Sequence, residues 1–190
     1  MNQLLVVQLC LGKKRHMKKL FVLLVICSAV FFAKAQQQPV GKPCANKPIY
    51  RFFDFWVGEW EAFGTGGKKA GDSKIELILD SCVILENWTS TTQGYMGKSI
   101  NTFNSQTGMW QQTWIDNKGS MTEYVNSKWE KDKMIVTTRN EKQQDGTYKM
   151  LRMTFTKLSN DKVRQFGESS VDEGKVWKTD FDLEYRRKKG

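Results

Sequence analysis

From Val57 onward the chain alternates, with Gly58, Trp60 and Ala62 on one face and Glu59 and Glu61 on the other. A period of two marks a half-buried antiparallel strand. The aromatic crowd just before it, in FFDFWVGEWEAF (52–63), reads as a short plug or turn running into that first strand. A large indole beside a glycine suits a place where the chain closes over a core. The pattern then repeats: Ile75, Leu77 and Leu79 alternate with Lys74, Glu76 and Asp80, and further runs predict strands over 82–92, 98–103, 110–115, 121–125, 134–139, 148–157, 163–169 and 176–186. Trp177, Thr179, Phe181, Leu183 and Tyr185 oppose Lys178, Asp180, Asp182, Glu184 and Arg186 in the last of these. The breaks carry hairpin-turn residues such as Asn117-Lys118-Gly119 and Gln144-Asp145-Gly146. The stretch GTGGKKAGDS (64–73) offers nothing apolar to bury and reads as a flexible loop. It leads into another strand and lacks the spacing of a phosphate-binding loop.

About ten short strands on tight turns, with no long helical pattern between them, predict an all-β, up-and-down antiparallel barrel. Closure is the simplest way for such a sheet to remove its exposed edges. A two-sheet sandwich is the alternative. A barrel of this size leaves room inside for side chains and one small ligand.

Several strands put polar groups where inward residues are expected. Glu86 shares a face with Trp88, Ser99 with Asn101 and Phe103, and Gln112 with Trp110, Trp114 and Asp116; Arg152 shares one with Thr154, and Arg164 one with Phe166 and Glu168. Pointing inward, these make aromatic walls with a few polar groups, the usual constitution of a small-molecule site. Pointing outward, they are a solvated face with stray tryptophans, an aggregation hazard that favours the inward reading. The expected ligand-binding set is therefore Trp60, Trp88 and Trp114 as walls, Asn101, Gln112 and Glu168 as polar contacts, and Arg152 paired with Glu86 as the anchor. A buried arginine needs such a partner, and Arg152 or Arg164 facing Glu86 or Glu168 would supply it.

Composition changes the picture little until it is divided along the chain. The 190 residues are 39% hydrophobic and 12% aromatic, and they predict one domain. The formal charge of +10 includes six Lys/Arg and no acid in residues 1–35, which leaves 24 basic against 20 acidic residues, a net +4, for the rest. No basic-aromatic stripe runs through the body, so no nucleic-acid partner is expected. From Met17, the run MKKLFVLLVICSAVFFAKAQQQ has a positive start, an apolar segment from Leu20 to Ala33 and an Ala33-Lys34-Ala35 cleavage site. Residues 1–35 thus read as a leader with a cleaved signal peptide and Met17 as its start. Acylation at Cys27 is the alternative. The apolar segment is shorter than the roughly 20 residues that span a bilayer, so no stable membrane insertion is expected after cleavage. Residues 36–50, with three prolines, read as a flexible linker, and 51–188 as the barrel domain. The expected location is exported, periplasmic or extracellular.

Removing a leader would remove His16, the only histidine. That excludes a His-ligated haem, a His-bearing zinc site and any histidine-activated nucleophile, so neither metal nor cofactor is expected. It would also leave two cysteines, Cys44 and Cys82. In an oxidising compartment they predict one disulfide between the N-terminal lead and the end of the second strand, with two unrelated thiols as the alternative.

Gly58-Glu59-Trp60, after an aromatic lead-in and ahead of a long series of strands, resembles the Gly-x-Trp opening of the lipocalin-like, or calycin, β-barrels. FDFWVGEWE, ILENW, WQQTWID and VRQFGESS…GKVW…FDLEYRRK together resemble a family of secreted bacterial lipocalin-like proteins of unknown function, over nearly all of 52–188. The resemblance implies the barrel and, through the calycins' late-strand arginine, a cation-π contact between Arg186 and Trp60. It carries no catalytic residues. The leading functional expectation is an exported binding protein holding a small apolar or amphipathic molecule. One alternative is a cofactor-free barrel enzyme acting on a small carboxylic acid through Glu86, Arg152 and Tyr124, as in the phenolic acid decarboxylases. Another is an envelope or secreted interaction protein with a packed centre.

Overall fold

The structure, a computed structural model, describes residues 43–189. The expected leader, the start at Met17, Cys27 and the first part of the expected linker lie outside the described residues. A four-residue helix α1 (Pro48–Arg51) and a 3-10 turn (Asp54–Trp56) precede the sheet. Its twelve strands are β1 (Gly58–Gly64), β2 (Lys69–Ile78), β3 (Val83–Ser90), β4 (Met96–Asn104), β5 (Met109–Asp116), β6 (Met121–Tyr124), β7 (Asn126–Glu130), β8 (Lys133–Thr137), β9 (Glu141–Lys142), β10 (Tyr148–Ser159), β11 (Lys162–Ser170) and β12 (Lys178–Arg187).

Every paired strand is antiparallel, and the spatial order is β6-β5-β4-β3-β2-β1-β12-β11-β10-β8-β7, with short β9 added to β10. The sheet thus curls into a nearly closed all-β barrel of eleven strands. Its two edges, β6 and β7, are joined through the single residue Val125. Val125 N–H donates to Thr137 O at 3.0 Å, and Trp110 N–H reaches across to Ser127 Oγ at 2.8 Å, so the seam is stitched from both sides.

One end of the barrel is solid. Phe53 and Trp56, carried in by the plug, stack at 5.2 Å, with Phe155 at 4.6 Å from Trp56 and Trp110 edge-on to Phe53 at 5.8 Å. All four side chains are buried. Burying such a ring contributes on the order of 2–3 kcal/mol, which is why the aromatic crowd before β1 turns inward. Trp60 Nε1 donates to Trp56 O at 2.8 Å and fixes the turn against the strand it feeds.

The arginine above Trp60 is Arg187, its guanidinium carbon 4.2 Å from the ring centroid, and not the expected Arg186. Register decides this: Trp60 and Arg187 are cross-strand partners, while Arg186 is opposite Glu61 and lies over Phe63 at 4.2 Å. Arg187 also donates to Val57 O at 3.3 Å and Asn160 O at 3.1 Å. Gly58 sits beneath it with φ +144°, where any Cβ would collide with Arg187 Nη1. The backbone angle therefore requires glycine at that position, and a side chain there would also displace the Arg187 guanidinium.

Two boundaries differ from the sequence expectation. The linker expected to extend to residue 50 ends earlier, because Cys44 is buried and bonded to Cys82 (Cα–Cα 5.0 Å) and Tyr50 packs edge-on against Phe103 at 5.7 Å. The loop expected over 64–73 narrows to a short turn, since β2 begins at Lys69 and pairs with β1. Its inward positions there, Gly71 and Ser73, are small because they face large groups on β3.

Candidate functional site

The other end of the barrel holds a cavity of about 300 Å³. Trp88, Tyr95, Trp114 and Phe181, all partly exposed, stand on its solvent side, and buried Tyr124, Met153 and Gln165 line it further in. Strand parity places them: inward residues are even-numbered on β3 and β5 and odd-numbered on β10, β11 and the C-terminal part of β12.

Three of the aromatic walls lie over glycines. A Cβ on Gly71 would stand 2.6 Å from Trp88 Cζ2, one on Gly97 2.5 Å from Trp114 Cη2, and one on Gly167 2.6 Å from Phe181 Cζ. With only hydrogen beneath them, the rings lie against the neighbouring strand instead of filling the centre. The cavity is a consequence of where the sequence spends its glycines.

Glu86 forms the polar floor and is 2% exposed. Ser73 Oγ donates to its Oε1 at 3.0 Å and Ser99 Oγ to its Oε2 at 2.9 Å. Asn101 Nδ2 supports Ser99 Oγ at 2.9 Å and also donates to Ile84 O at 3.2 Å. Tyr185 Oη lies 3.5 Å from Glu86 Oε1 and donates to Gln165 Oε1 at 2.6 Å.

Burial pushes the Glu86 carboxyl up to about 7, against the pull of the Ser99, Ser73 and Tyr185 hydroxyls. The same burial, with Glu86 beside it, raises Tyr185 well above the usual phenol range. Tyr124 is raised to about 12 by burial and by Asp180. No lysine or arginine lines the cavity among the described residues.

Of the residues expected to bind a ligand, Glu86, Trp88, Gln112 and Trp114 meet at this cavity. Trp60 is fully buried in the solid end, and Asn101 supports the floor from behind through Ser99. Arg152 and Glu168 lie elsewhere. On β10 the odd residues Met153 and Phe155 are the buried ones, so Arg152 points out and forms a two-bonded ion pair with Glu168 at 2.8 Å, under the Trp177 ring at 4.0 Å. The expected Arg152–Glu86 anchor is not formed. Tyr124 shares the cavity with Glu86, but the arginine needed to hold a substrate carboxylate does not.

Tyr95, Met153, Gln165, Phe181, Leu183 and Tyr185 are lining residues outside the expected set. The alternation of β12 was visible in the sequence and already put Phe181, Leu183 and Tyr185 on one face. Among the described residues no cluster of His, Cys, Asp or Glu is arranged to hold a metal ion. Comparison with protein-family models gives no match, and none of the curated proteins is significantly similar to the chain.

Proposed function

We propose that the barrel is an exported carrier that holds one small apolar or amphipathic molecule in the cavity above Glu86, and that it belongs with the calycin-type barrels. The observation that carries the reading is the division of the interior. One part is filled by plug aromatics, and the other is open, with glycines placed under Trp88, Trp114 and Phe181. A volume of about 300 Å³ is at the small end for ligand pockets and suits a single ring or a short chain. Export is supported by the leader pattern in the sequence and by the Cys44–Cys82 disulfide, a bond that persists in oxidising compartments. Among the described residues no helix is long and apolar enough to cross a membrane.

Tryptophan emission tests the carrier reading, because Trp88 and Trp114 line the cavity. Titration with fatty acids, aromatic acids and isoprenoids is expected to give a saturable change for at least one class. That change is lost in Met153→Trp, which fills the space. A flat response throughout, or one unaltered in the filled variant, would dispose of the reading.

A further inference from the structure

Among the described residues Glu86 is the one carboxyl that lines the cavity, and it is buried with no cationic partner. Arg152, the expected cationic partner, faces out and is committed to Glu168. Among the described residues the hydrogen-bond partners of Glu86 are hydroxyls, Ser73 from β2, Ser99 from β4 and Tyr185 from β12, with the Gln165 amide of β11 one bond further. A buried carboxylate normally has a cation beside it. Here the space where one would stand is the cavity.

The walls favour a cation too. Trp88, Trp114, Tyr95, Tyr124 and Phe181 present five aromatic side chains to the same space, and aromatic faces attract positive charge most strongly when it is desolvated. Acidic groups flank the site. Asp116 accepts from the Tyr95 hydroxyl at 3.3 Å, and Asp180 is near enough to Tyr124 to raise its pKa. One lysine, Lys118, lies outside over the Tyr95 ring at 5.2 Å. Gln112, whose Nε2 is 3.4 Å from Ser99 Oγ, adds a carbonyl acceptor to the lining.

Resting on the carrier reading and sharpening it, we infer that the ligand is an organic monocation. It is a protonated amine on a small aromatic or aliphatic body, its nitrogen bonded to Glu86 and its body held between the tryptophans. This reverses the polarity that a carboxylate ligand held by Arg152 would have had. Two acceptor oxygens, each already bonded by one serine, retain a lone pair for an ammonium group.

The inference predicts a pH dependence of binding. Of the titratable groups facing Glu86, only Tyr185 is in contact, and it is shifted upward, away from neutrality. At the mouth Asp116 is held below its usual range by backbone hydrogen bonds first and Tyr95 is raised, and further in Tyr124 is raised. Between pH 6 and 8 the group that changes charge is Glu86.

The test uses three probes of one shape: 2-phenylethylamine, 2-phenylethanol and phenylacetate, titrated calorimetrically into the full chain. The amine is expected to bind at least about tenfold tighter than the alcohol, with the acid weakest. Its affinity should rise about tenfold from pH 6 to 8 as the carboxylate ionises, while the alcohol's stays level. Glu86→Gln, which keeps the shape and removes the charge, should abolish the amine's advantage. Should that variant fail to fold, the wild-type comparison and its pH profile decide alone. An alcohol or acid that binds as tightly as the amine overturns the inference and leaves the carrier reading standing, as does amine affinity that is flat with pH. Failure of all three probes overturns the inference. The wider fluorescence panel with Met153→Trp then decides separately whether the cavity holds anything.

Discussion

The Trp88 indole rests on Gly71, close enough that a single methyl group on that glycine would stand 2.6 Å from its ring. Gly97 under Trp114 and Gly167 under Phe181 repeat the arrangement on other strands. Each aromatic ring is held against the wall by the absence of a Cβ, so the hollow depends on three backbone positions that do not themselves line it. Gly97→Ala is expected to cost about 1–3 kcal/mol and to push Trp114 toward the centre. Chemical denaturation and near-ultraviolet circular dichroism would register both effects. Gly66→Ala is the matched control: no atom lies within 4 Å of its added Cβ, and its stability should change by less than about 0.5 kcal/mol.

Glu86 should make the protein less stable as the solution becomes more alkaline. Its folded pKa, about 7, is above the value of 4.5 expected for a free glutamate, so between those values the folded state binds a proton that the unfolded chain has released. Stability is therefore greatest below the lower value and declines as pH rises toward the upper one, by on the order of 3 kcal/mol in all. Asp54, raised by burial against the pull of Arg51, acts in the same direction at lower pH. Urea midpoints measured from pH 5 to 8 should fall for the wild type and stay nearly level for Glu86→Gln. A wild-type profile that is flat or rising across that range would show that the buried carboxyl is ionised throughout.

Alternation made the barrel legible, along with the inward placement of Glu86, Trp88, Gln112 and Trp114. Period two is a local property, and from Ile84 to Glu86 on β3 and from Met109 to Gln112 on β5 the even positions are the buried ones. Arg152 shows where that logic fails. Its strand alternates equally well in either sense, and only the buried Met153 and Phe155 fix the parity. The disulfide was readable from the two cysteines, Cys44 and Cys82, that follow the expected leader. The extent of β2 was not, because its first inward residues are Gly71 and Ser73 and carry no apolar signal until Trp88 is known to lie over them. The one-residue slip from Arg186 to Arg187 has the same origin: both arginines fit the end of an alternating strand, and only the β1–β12 register separates them.

That register has a measurable consequence. Arg187 covers Trp60 and donates to two backbone carbonyls, whereas Arg186 is an exposed residue bonded to Glu184 at 2.7 Å. Arg187→Ala should cost about 1–3 kcal/mol, through the lost cation-π contact and the lost donor to the part-buried Val57 carbonyl. Arg186→Ala should cost less than about 1 kcal/mol, as exposed ion pairs do. Equal losses for the two variants would contradict the cover that Arg187 gives the closed end.

The disulfide should stabilise the oxidised protein by less than its loop length alone implies. Cys44 and Cys82 are 38 residues apart, and closing such a loop restricts the unfolded chain by about 4 kcal/mol. Immediately before Cys82, however, Leu79, Asp80 and Ser81 hold φ values of 49°, 52° and 68°. A left-handed residue other than glycine costs about 1 kcal/mol or more, and three in succession are retained only where the surroundings hold them. Here the surroundings are the bond to Cys44, the turn bond from Cys82 N–H to Leu79 O at 3.1 Å, and the Arg51 guanidinium, which donates to Ser81 O. Oxidised and reduced protein compared in urea should therefore differ by about 2–3 kcal/mol, short of the full entropic value. Asp80→Gly removes part of the backbone cost and should raise the stability of the oxidised form by about 1 kcal/mol. An Asp80→Gly variant no more stable than the wild type would mean that the turn carries no such cost, and the full 4 kcal/mol or so should then appear on reduction.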